Sequence, residues 1–306
     1  MTIIVAGGTG FIGNALVERL HQERHNVVLL TRNPSKVEQS RPNLRVEEWD
    51  AKTIGPWGED MNRADAIINL TGEIIAGKRW TKRQKEVILR SRVDATRALV
   101  QAIEQASKKP SLLISASAVG YYGNVPSGDV PESFPRGTDF LAAVCGHWEE
   151  EALAAAKSGV RVLTPRLGVV LAHDGGALAR MLLPFKFFIG GPLGNGKQWF
   201  PWIHRDDVVD GILFLLQSST ISGAVNFVAP EALTMKEFSR RIGEILHRPS
   251  WAPVPSLALR ILLGEMADML LTGQRVIPKK LIDDGYVFRY PSLTSALREI
   301  VSSHWH

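Results

Sequence analysis

The glycine-rich segment near the N-terminus is the part of the sequence whose chemistry is easiest to state. Residues 7–13 read Gly-Gly-Thr-Gly-Phe-Ile-Gly and directly follow the apolar residues 3–6. A buried strand that turns through glycines into a helix brings its backbone close to a pyrophosphate, and the helix N-terminus directs free N–H groups at the phosphates. The pattern therefore predicts a dinucleotide-binding loop. The alternative is an ordinary tight turn between a strand and a helix.

The residues after this loop favour the dinucleotide interpretation. Apolar residues recur at helical spacing as far as Leu20, and a second apolar strand at 27–30 follows at the distance expected of a βαβ unit. Gly10 has no Cβ, so the backbone there can approach a phosphate closely. The loop residues expected to bind the cofactor are Gly7, Thr9, Gly10, Phe11, Ile12 and Gly13. Because the loop lies so near the start of the chain, no targeting segment is expected before the fold.

The end of the second strand indicates which dinucleotide binds. An NAD site usually carries an acidic residue there for the ribose 2′-hydroxyl, whereas this chain has Thr31 and Arg32. A guanidinium can pair with a 2′-phosphate, and a carboxylate would repel it. We therefore expect NADP, with NAD the weaker candidate. The alternative is that Arg32 is only a solvated loop charge.

Two later strands end in small or hydroxyl-bearing residues, at the edge where parallel α/β sheets bind their ligands. The first end is expected to lie against the adenine and ribose, and its residues are Leu70, Thr71 and Gly72. The second end carries Ser117 and the phenols of Tyr121 and Tyr122. The serine hydroxyl and one phenol could orient and protonate a substrate oxygen. In the other interpretation, the tyrosines pack or stack on the substrate.

These residues need a sheet that brings the strand ends together. Strand and helix patterns alternate along the chain, which predicts an α/β fold, a doubly wound parallel sheet (Rossmann) with a smaller, mostly helical C-terminal substrate lobe. Strands are expected near residues 2–6, 27–31, 45–49, 66–70, 111–116, 160–166 and 225–229. Helices are expected near residues 12–23, 82–106 and 139–157.

The domain boundary is expected where this alternation breaks. Residues 1–166 form the NADP-binding domain, to whose sheet a late strand near 225–229 returns, and residues 167–306 form the substrate lobe. A helical domain begins at about residue 250 within that lobe. Thr234 and Glu237 have the spacing of a capping box and predict a helix that runs toward Leu246.

Composition narrows the functional classes. The 306 residues are 45% hydrophobic and 22% charged, as in an ordinary soluble globular protein, and the net charge of +5 comes without a basic run interleaved with aromatics. We expect a small-molecule substrate, no nucleic acid, no membrane and a cytoplasmic location, and the oligomeric state stays open. The single Cys145 excludes an intramolecular disulfide and a cysteine-based metal cage. No metal site is expected, and His304 and His306 are expected to be solvated.

Together these segments resemble the extended short-chain dehydrogenase/reductase superfamily, of the NAD-dependent epimerase/dehydratase type. The resemblance rests on the glycine loop, on Asn-Leu-Thr-Gly at 69–72, on the serine-rich strand end and on Pro-Arg-Leu at 165–167. Segments at 196–204 and 273–278 are similar to an uncharacterised epimerase-like subfamily with its own C-terminal helical domain. The resemblance implies a Rossmann fold and adds Arg166 to the cofactor-binding residues.

The chain departs from the superfamily at its catalytic pair. In the family, Tyr-x-x-x-Lys opens the helix after the serine strand, with the tyrosine as acid/base. Alignment on Glu149 places Leu141 at the tyrosine and Cys145 at the lysine. Leucine cannot transfer a proton, and a half-buried helical cysteine is usually a packing residue. We therefore expect the usual acid/base to be absent and Cys145 to be catalytically inert.

Four other charged or aromatic residues are candidates. Arg92 stands where family members usually carry an asparagine, and it could bind a cofactor phosphate or a substrate carboxylate, with Glu86 to balance its charge. The alternative is that both are exposed helix charges. Trp202 and His204 are expected at the substrate, although His204 could instead be a structural residue at the lobe junction.

These observations predict an NADP-dependent epimerase or oxidoreductase of the short-chain dehydrogenase/reductase type. Its substrate would be an unknown small molecule, with a nucleotide-sugar-like compound as one class. The alternative is a non-catalytic NADP-binding redox sensor or assembly partner, which the missing Tyr-x-x-x-Lys pair favours.

Overall fold

A computed structural model describes residues 1–37 and 41–302 of the chain, so His304 and His306 lie outside the described residues. The strands, in chain order, are β1 (Thr2–Ala6), β2 (Asn26–Thr31), β3 (Leu44–Glu48), β4 (Ala66–Asn69), β5 (Leu112–Ser115), β6 (Ser117–Ala118), β7 (Val125–Val130), β8 (Arg161–Leu167), β9 (Val169–Ala172), β10 (Gly175–Gly176), β11 (Trp202–His204), β12 (Gly223–Phe227) and β13 (Gln274–Val276). The main sheet has the order β12-β8-β5-β4-β1-β2-β3, and β6 pairs with β8. All of its pairings are parallel.

Helices connect these strands and cover the sheet. In chain order they are α1 (Phe11–Gln22), α2 (Lys82–Gln105), α3 (Phe140–Leu153), α4 (Leu178–Lys186), α5 (Arg205–Gln217), α6 (Met235–Leu246), α7 (Ser256–Leu263), α8 (Asp268–Leu271), α9 (Lys279–Asp283) and α10 (Leu293–Ser302). Short 3₁₀ segments include 119–122, directly after β6.

The main sheet is buried on both faces, which explains why its strands are continuous apolar runs. Ile3 and Ile4 point to opposite faces, and both are fully buried. On one face the core contains Leu16 of α1 and Ile212 of α5. On the other face it contains Leu99 of α2. The doubly wound arrangement therefore follows from the apolar residues that each helix turns toward the sheet.

Five further strands in the described part of the chain pair outside the main sheet. Strand β9 pairs with β10 and β11, and β7 pairs with β13. A separate apolar core joins Phe185 of α4, Phe238 of α6 and Leu297 of α10. The capping box at the start of α6 is present, because Thr234 accepts from the Glu237 backbone while the Glu237 carboxylate accepts from the Thr234 backbone.

The predicted α/β class and the return of a late strand are confirmed. Strand β12 pairs with β8 in parallel, although it begins and ends two residues earlier than expected. The short strands outside the main sheet were not predicted. They have two to six residues, which is too short for a residue pattern to distinguish them from loops, although β9 is a run of four apolar residues.

The described residues contain neither a membrane-spanning helix nor a cluster of metal ligands. No helix within 1–37 and 41–302 is long and apolar enough to cross a membrane. In the same part of the chain, no three His, Cys, Asp or Glu side chains converge as they would around a metal ion.

Candidate functional site

The glycine loop joins β1 to α1 and touches the end of β4. Gly7 has φ of +78°, and a Cβ there would lie 2.7 Å from the carbonyl carbon of Leu70. A Cβ on Gly13 would collide with the Gly7 carbonyl oxygen. Gly7 and Gly13 are therefore needed for the loop to close against its own backbone and against β4.

Gly10 differs from these two glycines because its free side faces outward. Thr9 and Gly10 are exposed, and a Cβ on Gly10 would meet only the Gly7 oxygen, at 3.2 Å. Helix α1 begins at Phe11, and among the described residues no side chain caps it and its first turn holds no acidic residue. The first-turn N–H groups and the helix dipole thus face an open surface, the arrangement that binds phosphates.

The end of β2 places one cation at the same edge of the sheet. Thr31 is buried, and its hydroxyl accepts from the Asn33 backbone at 3.2 Å, which turns the chain. Arg32 follows directly and is exposed. Because β2 is the immediate neighbour of β1, Arg32 directly follows the strand that lies next to the one leading into the glycine loop.

The end of β4 is shaped by a buried amide. Asn69 donates to Thr96 Oγ1 at 2.9 Å and to Ser115 Oγ at 3.2 Å. Oδ1 of the Asn69 side chain accepts from the Thr71 backbone N–H at 3.1 Å. These bonds hold the chain after β4 in a tight turn, so Leu70 and Thr71 remain half-buried while Gly72 is exposed.

Ser117 belongs to a buried ionic network. Its hydroxyl donates to Glu149 Oε1 at 2.6 Å. The same carboxylate accepts from Arg166 Nε and Nη2, both at 2.8 Å, and the two charged side chains are 7% and 4% exposed. Although burial opposes it, the bidentate pair with Glu149 raises the pKa of Arg166 above its ordinary value.

The network continues to Tyr122. Arg166 Nη1 donates to the Tyr122 hydroxyl at 2.9 Å, and that hydroxyl donates to Asn226 Oδ1 at 2.6 Å. Asn226 in turn donates to the carbonyl of Val130 at 3.2 Å. Burial raises the pKa of Tyr122 to about 12. The polar groups of this network bind one another and connect β6, α3, β8 and β12.

Three predicted site roles therefore need correction. The single proton of the Ser117 hydroxyl goes to Glu149, so this hydroxyl does not donate to a substrate oxygen. Tyr122 is 2% exposed, and both its polar contacts are inside the protein. Arg166 makes four hydrogen bonds, to Glu149, Tyr122 and the Glu132 carbonyl, which leaves its guanidinium no open face for a phosphate.

Tyr121 is the predicted phenol that stays half-exposed. The guanidinium carbon of Arg166 lies 3.4 Å from the centroid of the Tyr121 ring. The Tyr121 and Tyr122 rings pack edge to face, with their centroids 5.5 Å apart. These contacts fix the ring at the C-terminal end of β6. Tyr121 and Ser117 are not hydrogen-bonded to each other in the structure, since the Ser117 hydroxyl donates to Glu149.

The helix that carries the family's catalytic pair packs here against a loop. A Cβ on Gly120 would lie 3.2 Å from Leu141 Cβ and 3.9 Å from Cys145 Sγ. Cys145 is buried, and this burial raises the pKa of its thiol to about 12. The thiol is therefore protonated at neutral pH, as expected of a packing residue.

Arg92 is buried and Glu86 does not face it. Arg92 Nη1 donates to the Ile88 carbonyl at 3.1 Å, and its guanidinium carbon lies 5.1 Å from the Trp148 ring centroid. Glu86 is exposed and accepts from Arg90 Nε at 2.9 Å. The predicted balance between Glu86 and Arg92 is therefore wrong, and so is the alternative that both are exposed charges.

Trp202 and His204 are structural. Trp202 is 1% exposed and donates to the Glu231 carbonyl at 3.1 Å. His204 is the N-cap of α5: its Nδ1 accepts from the Asp206 backbone at 3.1 Å, and its Nε2 lies 3.1 Å from Glu299 Oε2. These contacts give the predicted substrate role no support, because the polar atoms of both side chains bind the protein itself, and for His204 they fit the alternative of a structural residue.

Sequence reasoning missed the centre of the buried network. In the sequence, Glu149 only aligns the helix with the family pattern, and Asn226 falls inside the predicted strand near 225–229. Glu149 is the first of three consecutive glutamates, so nothing in the local sequence marks it as buried. An asparagine between Val225 and Phe227 does indicate a buried polar group, but it does not identify the partner.

Comparisons with known proteins identify the family to which this sequence is similar. A family model described as the NAD dependent epimerase/dehydratase family matches residues 3–227, and one described as a domain of unknown function (DUF1731) matches residues 254–300. The chain is 43% identical over 303 residues to the chloroplastic "Epimerase family protein SDR39U1 homolog" of Arabidopsis thaliana, covering 98% of this chain and 87% of that protein. It is 39% identical over 303 residues to "Epimerase family protein YfhF" of Bacillus subtilis, covering 99% and 98%.

Solved structures show the same similarity. Human epimerase family protein SDR39U1 (isoform 2), crystallised with NADPH, is 35% identical with a TM-score of 0.87, over 99% of this chain and 100% of that chain. The nucleoside-diphosphate sugar epimerase from Corynebacterium glutamicum is 30% identical with a TM-score of 0.78, over 99% of this chain and 59% of that chain.

Proposed function

Because this chain belongs to the NAD-dependent epimerase/dehydratase family, we propose that it is an NADP-dependent oxidoreductase or epimerase that acts on a small molecule. The observation that carries the proposal is the N-terminal cradle, where exposed Gly10 precedes the uncapped start of α1 at Phe11. A pyrophosphate fits this place, because the first-turn N–H groups have no capping side chain among the described residues.

Arg32 supports NADP over NAD. It is exposed at the end of β2, where an NAD site would carry an acidic residue. The human relative that was crystallised with NADPH supports the same choice. Thr9, Phe11 and Ile12 would complete the phosphate loop, and Leu70, Thr71 and Gly72 would line the adenosine side.

When bound, the nicotinamide group supplies hydride transfer, and the chain must orient the substrate and move a proton. Tyr121 is the residue that we assign to the proton. Its phenol is half-exposed at the C-terminal end of β6, whereas Ser117 and Tyr122 are held inside the buried network. The Arg166 guanidinium packs against the Tyr121 ring and holds it in place.

Single-turnover oxidation of NADPH tests this assignment. A panel of carbonyl compounds and nucleotide sugars would be screened, since a 30% identical relative is a nucleoside-diphosphate sugar epimerase. We expect Tyr121→Phe to lower the hydride-transfer rate by about 10²-fold with NADPH affinity unchanged. Tyr122→Phe is the matched control and should leave that rate near wild type. A wild-type rate in Tyr121→Phe would remove Tyr121 from the chemistry.

A non-catalytic NADP-binding protein, such as a redox sensor or assembly partner, is the second candidate. Leu141 and Cys145 at the family's catalytic positions favour it, and so does the Ser117 hydroxyl bound to Glu149. The same screen separates the two candidates. Tight NADPH binding without turnover of any compound would favour the sensor, and turnover of one compound would exclude it.

A further inference from the structure

Arg92 is a buried cation. It lies on α2 with 8% of its surface exposed, and none of the carboxylates in the described part of the chain forms an ion pair with it. Its one hydrogen bond to residues within 1–37 and 41–302 runs from Nη1 to the Ile88 carbonyl at 3.1 Å. Burial of a charge without a partner is costly, and here it lowers the pKa of Arg92.

The edge of this guanidinium that makes no hydrogen bond to the protein is the one suited to an oxyanion. With Nη1 bound to Ile88, the Nε and Nη2 groups remain, and neither belongs to the buried polar atoms that lack a partner. Both nitrogens therefore retain some solvent access. Two parallel N–H groups on one side of a guanidinium match the two oxygens of a carboxylate or phosphate.

The surroundings place this edge at the ligand side of the sheet. A Cβ on Gly72 would lie 2.9 Å from Arg92 Cζ and 3.1 Å from Nη2, so the turn after β4 packs directly on the guanidinium. Gly72 is exposed, two residues beyond the backbone that touches the glycine loop. The buried Cys145 thiol and the Glu73 carboxylate are the ionisable groups that act on Arg92 from neighbouring elements.

A run of cations precedes Arg92 along the chain. Lys78, Arg79, Lys82 and Arg83 are exposed, and none of them forms an ion pair within the described residues. Trp80 of the same segment meets Phe140, the first residue of α3, with ring centroids 5.1 Å apart. The segment therefore lies beside the start of α3, and its charge would concentrate anions there.

We infer that Arg92 binds a carboxylate of the substrate through its Nε–Nη2 edge, so that the substrate class is a small carboxylic acid. This inference rests on the proposed function for the identity of the substrate pocket. The cofactor offers phosphates as a second source of oxyanion. We assign those to the start of α1 and to Arg32, which leaves Arg92 for the substrate.

Titration with simple carboxylates tests the inference. Malonate and acetate would be titrated into the full chain, with and without saturating NADP, and binding would be measured by calorimetry. Chloride at the same ionic strength is the control for a non-specific anion. We expect wild type to bind a carboxylate and Arg92→Met to bind it at least about tenfold more weakly. Arg92→Lys should restore part of the affinity, since it keeps the charge but loses the bidentate edge.

Arg90→Met is the matched control, because it removes the same charge from an exposed site on α2. It should leave carboxylate affinity unchanged. Equal carboxylate affinity in wild type and Arg92→Met, or no carboxylate binding by wild type, would overturn the inference. A loss of NADP affinity in Arg92→Met with carboxylate binding intact would overturn it too, by assigning the site to a cofactor phosphate. Failure of wild type to bind NADP would contradict only the proposed function, because the cofactor-free titration still tests Arg92.

Discussion

Individual hydrogen bonds decide which side chains remain available for chemistry. The Ser117 hydroxyl has one proton, and Glu149 accepts it at 2.6 Å. The Tyr122 hydroxyl donates to Asn226 and accepts from Arg166, so it is also occupied. Among the side chains discussed around the end of β6, Tyr121 and Arg92 keep polar groups that are not fully bound within the protein.

Gly10 tests the cradle at the scale of one residue. Gly10→Val should fold, because a Cβ there meets only the Gly7 oxygen at 3.2 Å, but the larger side chain would occupy the phosphate position. We expect NADPH affinity to fall by about tenfold to a hundredfold, the magnitude of one lost charge-assisted hydrogen bond. Calorimetry together with circular dichroism measures both effects.

Gly13→Ala is the control for this variant. Its Cβ would collide with the Gly7 carbonyl oxygen, so it should lower the free energy of unfolding as well as cofactor affinity. Normal NADPH binding by Gly10→Val would show that the phosphates lie elsewhere.

The Cys145 thiol should be unreactive in the folded protein. Burial raises the pKa of this thiol to about 12, and only the thiolate reacts readily with an alkylating reagent. Iodoacetamide should leave the native chain unlabelled while it labels the urea-unfolded chain once, as read by intact mass spectrometry. Cys145→Ala should change NADPH affinity and any turnover little. Rapid labelling of the native protein would mean that the thiol is exposed and ionised.

At the scale of elements, the Glu149–Arg166 pair joins α3 to β8. Removing one partner of a buried pair leaves the other charge uncompensated, which typically costs about 3–5 kcal/mol. Glu149→Gln should therefore lower the free energy of unfolding by about that amount in urea titrations. Glu151→Gln in the same helix is the control, because Glu151 pairs with Arg97 at a partly exposed site and should cost about 1 kcal/mol or less. Similar losses in the two variants would contradict a structural role for the buried pair.

His204 begins helix α5, so its substitution should reduce stability and not cofactor affinity. His204→Ala removes the acceptor for the Asp206 backbone and the contact with Glu299. We expect a loss of about 2–3 kcal/mol, of which His204→Asn should recover about 1 kcal/mol because asparagine also caps helices. Unfolding by urea measures both. A variant with wild-type stability and weakened ligand binding would return His204 to the substrate site.

His204 also gives stability a pH dependence with a defined sign. Burial lowers the pKa of His204 against the opposing effect of the carboxylates of Asp206, Asp207 and Glu299. The unfolded chain therefore binds a proton at a higher pH than the folded chain does. The stabilisation is complete above the ordinary value of about 6.5 and declines as the pH falls below it. Between about pH 7 and pH 5, wild type should lose more unfolding free energy than His204→Asn.

The main elements could be predicted from the sequence because their signals are local. The apolar run before the glycine loop and the helical spacing through α2 place β1 and α2 to within one residue. The network around Ser117 could not be predicted, because Glu149, Arg166 and Asn226 come from three elements that meet only in the fold. The partner of His204 could not be predicted for the same reason, since Glu299 lies 95 residues away in the chain.

At the scale of the whole molecule, the ligand edge of the sheet lies beside the C-terminal helical region. Arg79 packs on Gly264, and Lys85 of α2 pairs with Glu265. These contacts join the start of α2 and the segment before it to the C-terminal helical region. The cofactor cradle, Arg92 and Tyr121 all lie on segments that leave the C-terminal ends of parallel strands or pack on them. Such an edge is where doubly wound sheets bind ligands.

The measurement that tests the central claim most directly is calorimetry of the full chain with NADPH and with NADH. We expect wild type to bind NADPH more tightly by about tenfold to a hundredfold, through the contact of Arg32 with the 2′-phosphate. Arg32→Asp should abolish this preference, while Arg90→Met, which removes an equal charge elsewhere, should retain it. Tighter binding of NADH than of NADPH by wild type, or no binding of either, would contradict the assignment of this chain as an NADP-dependent protein.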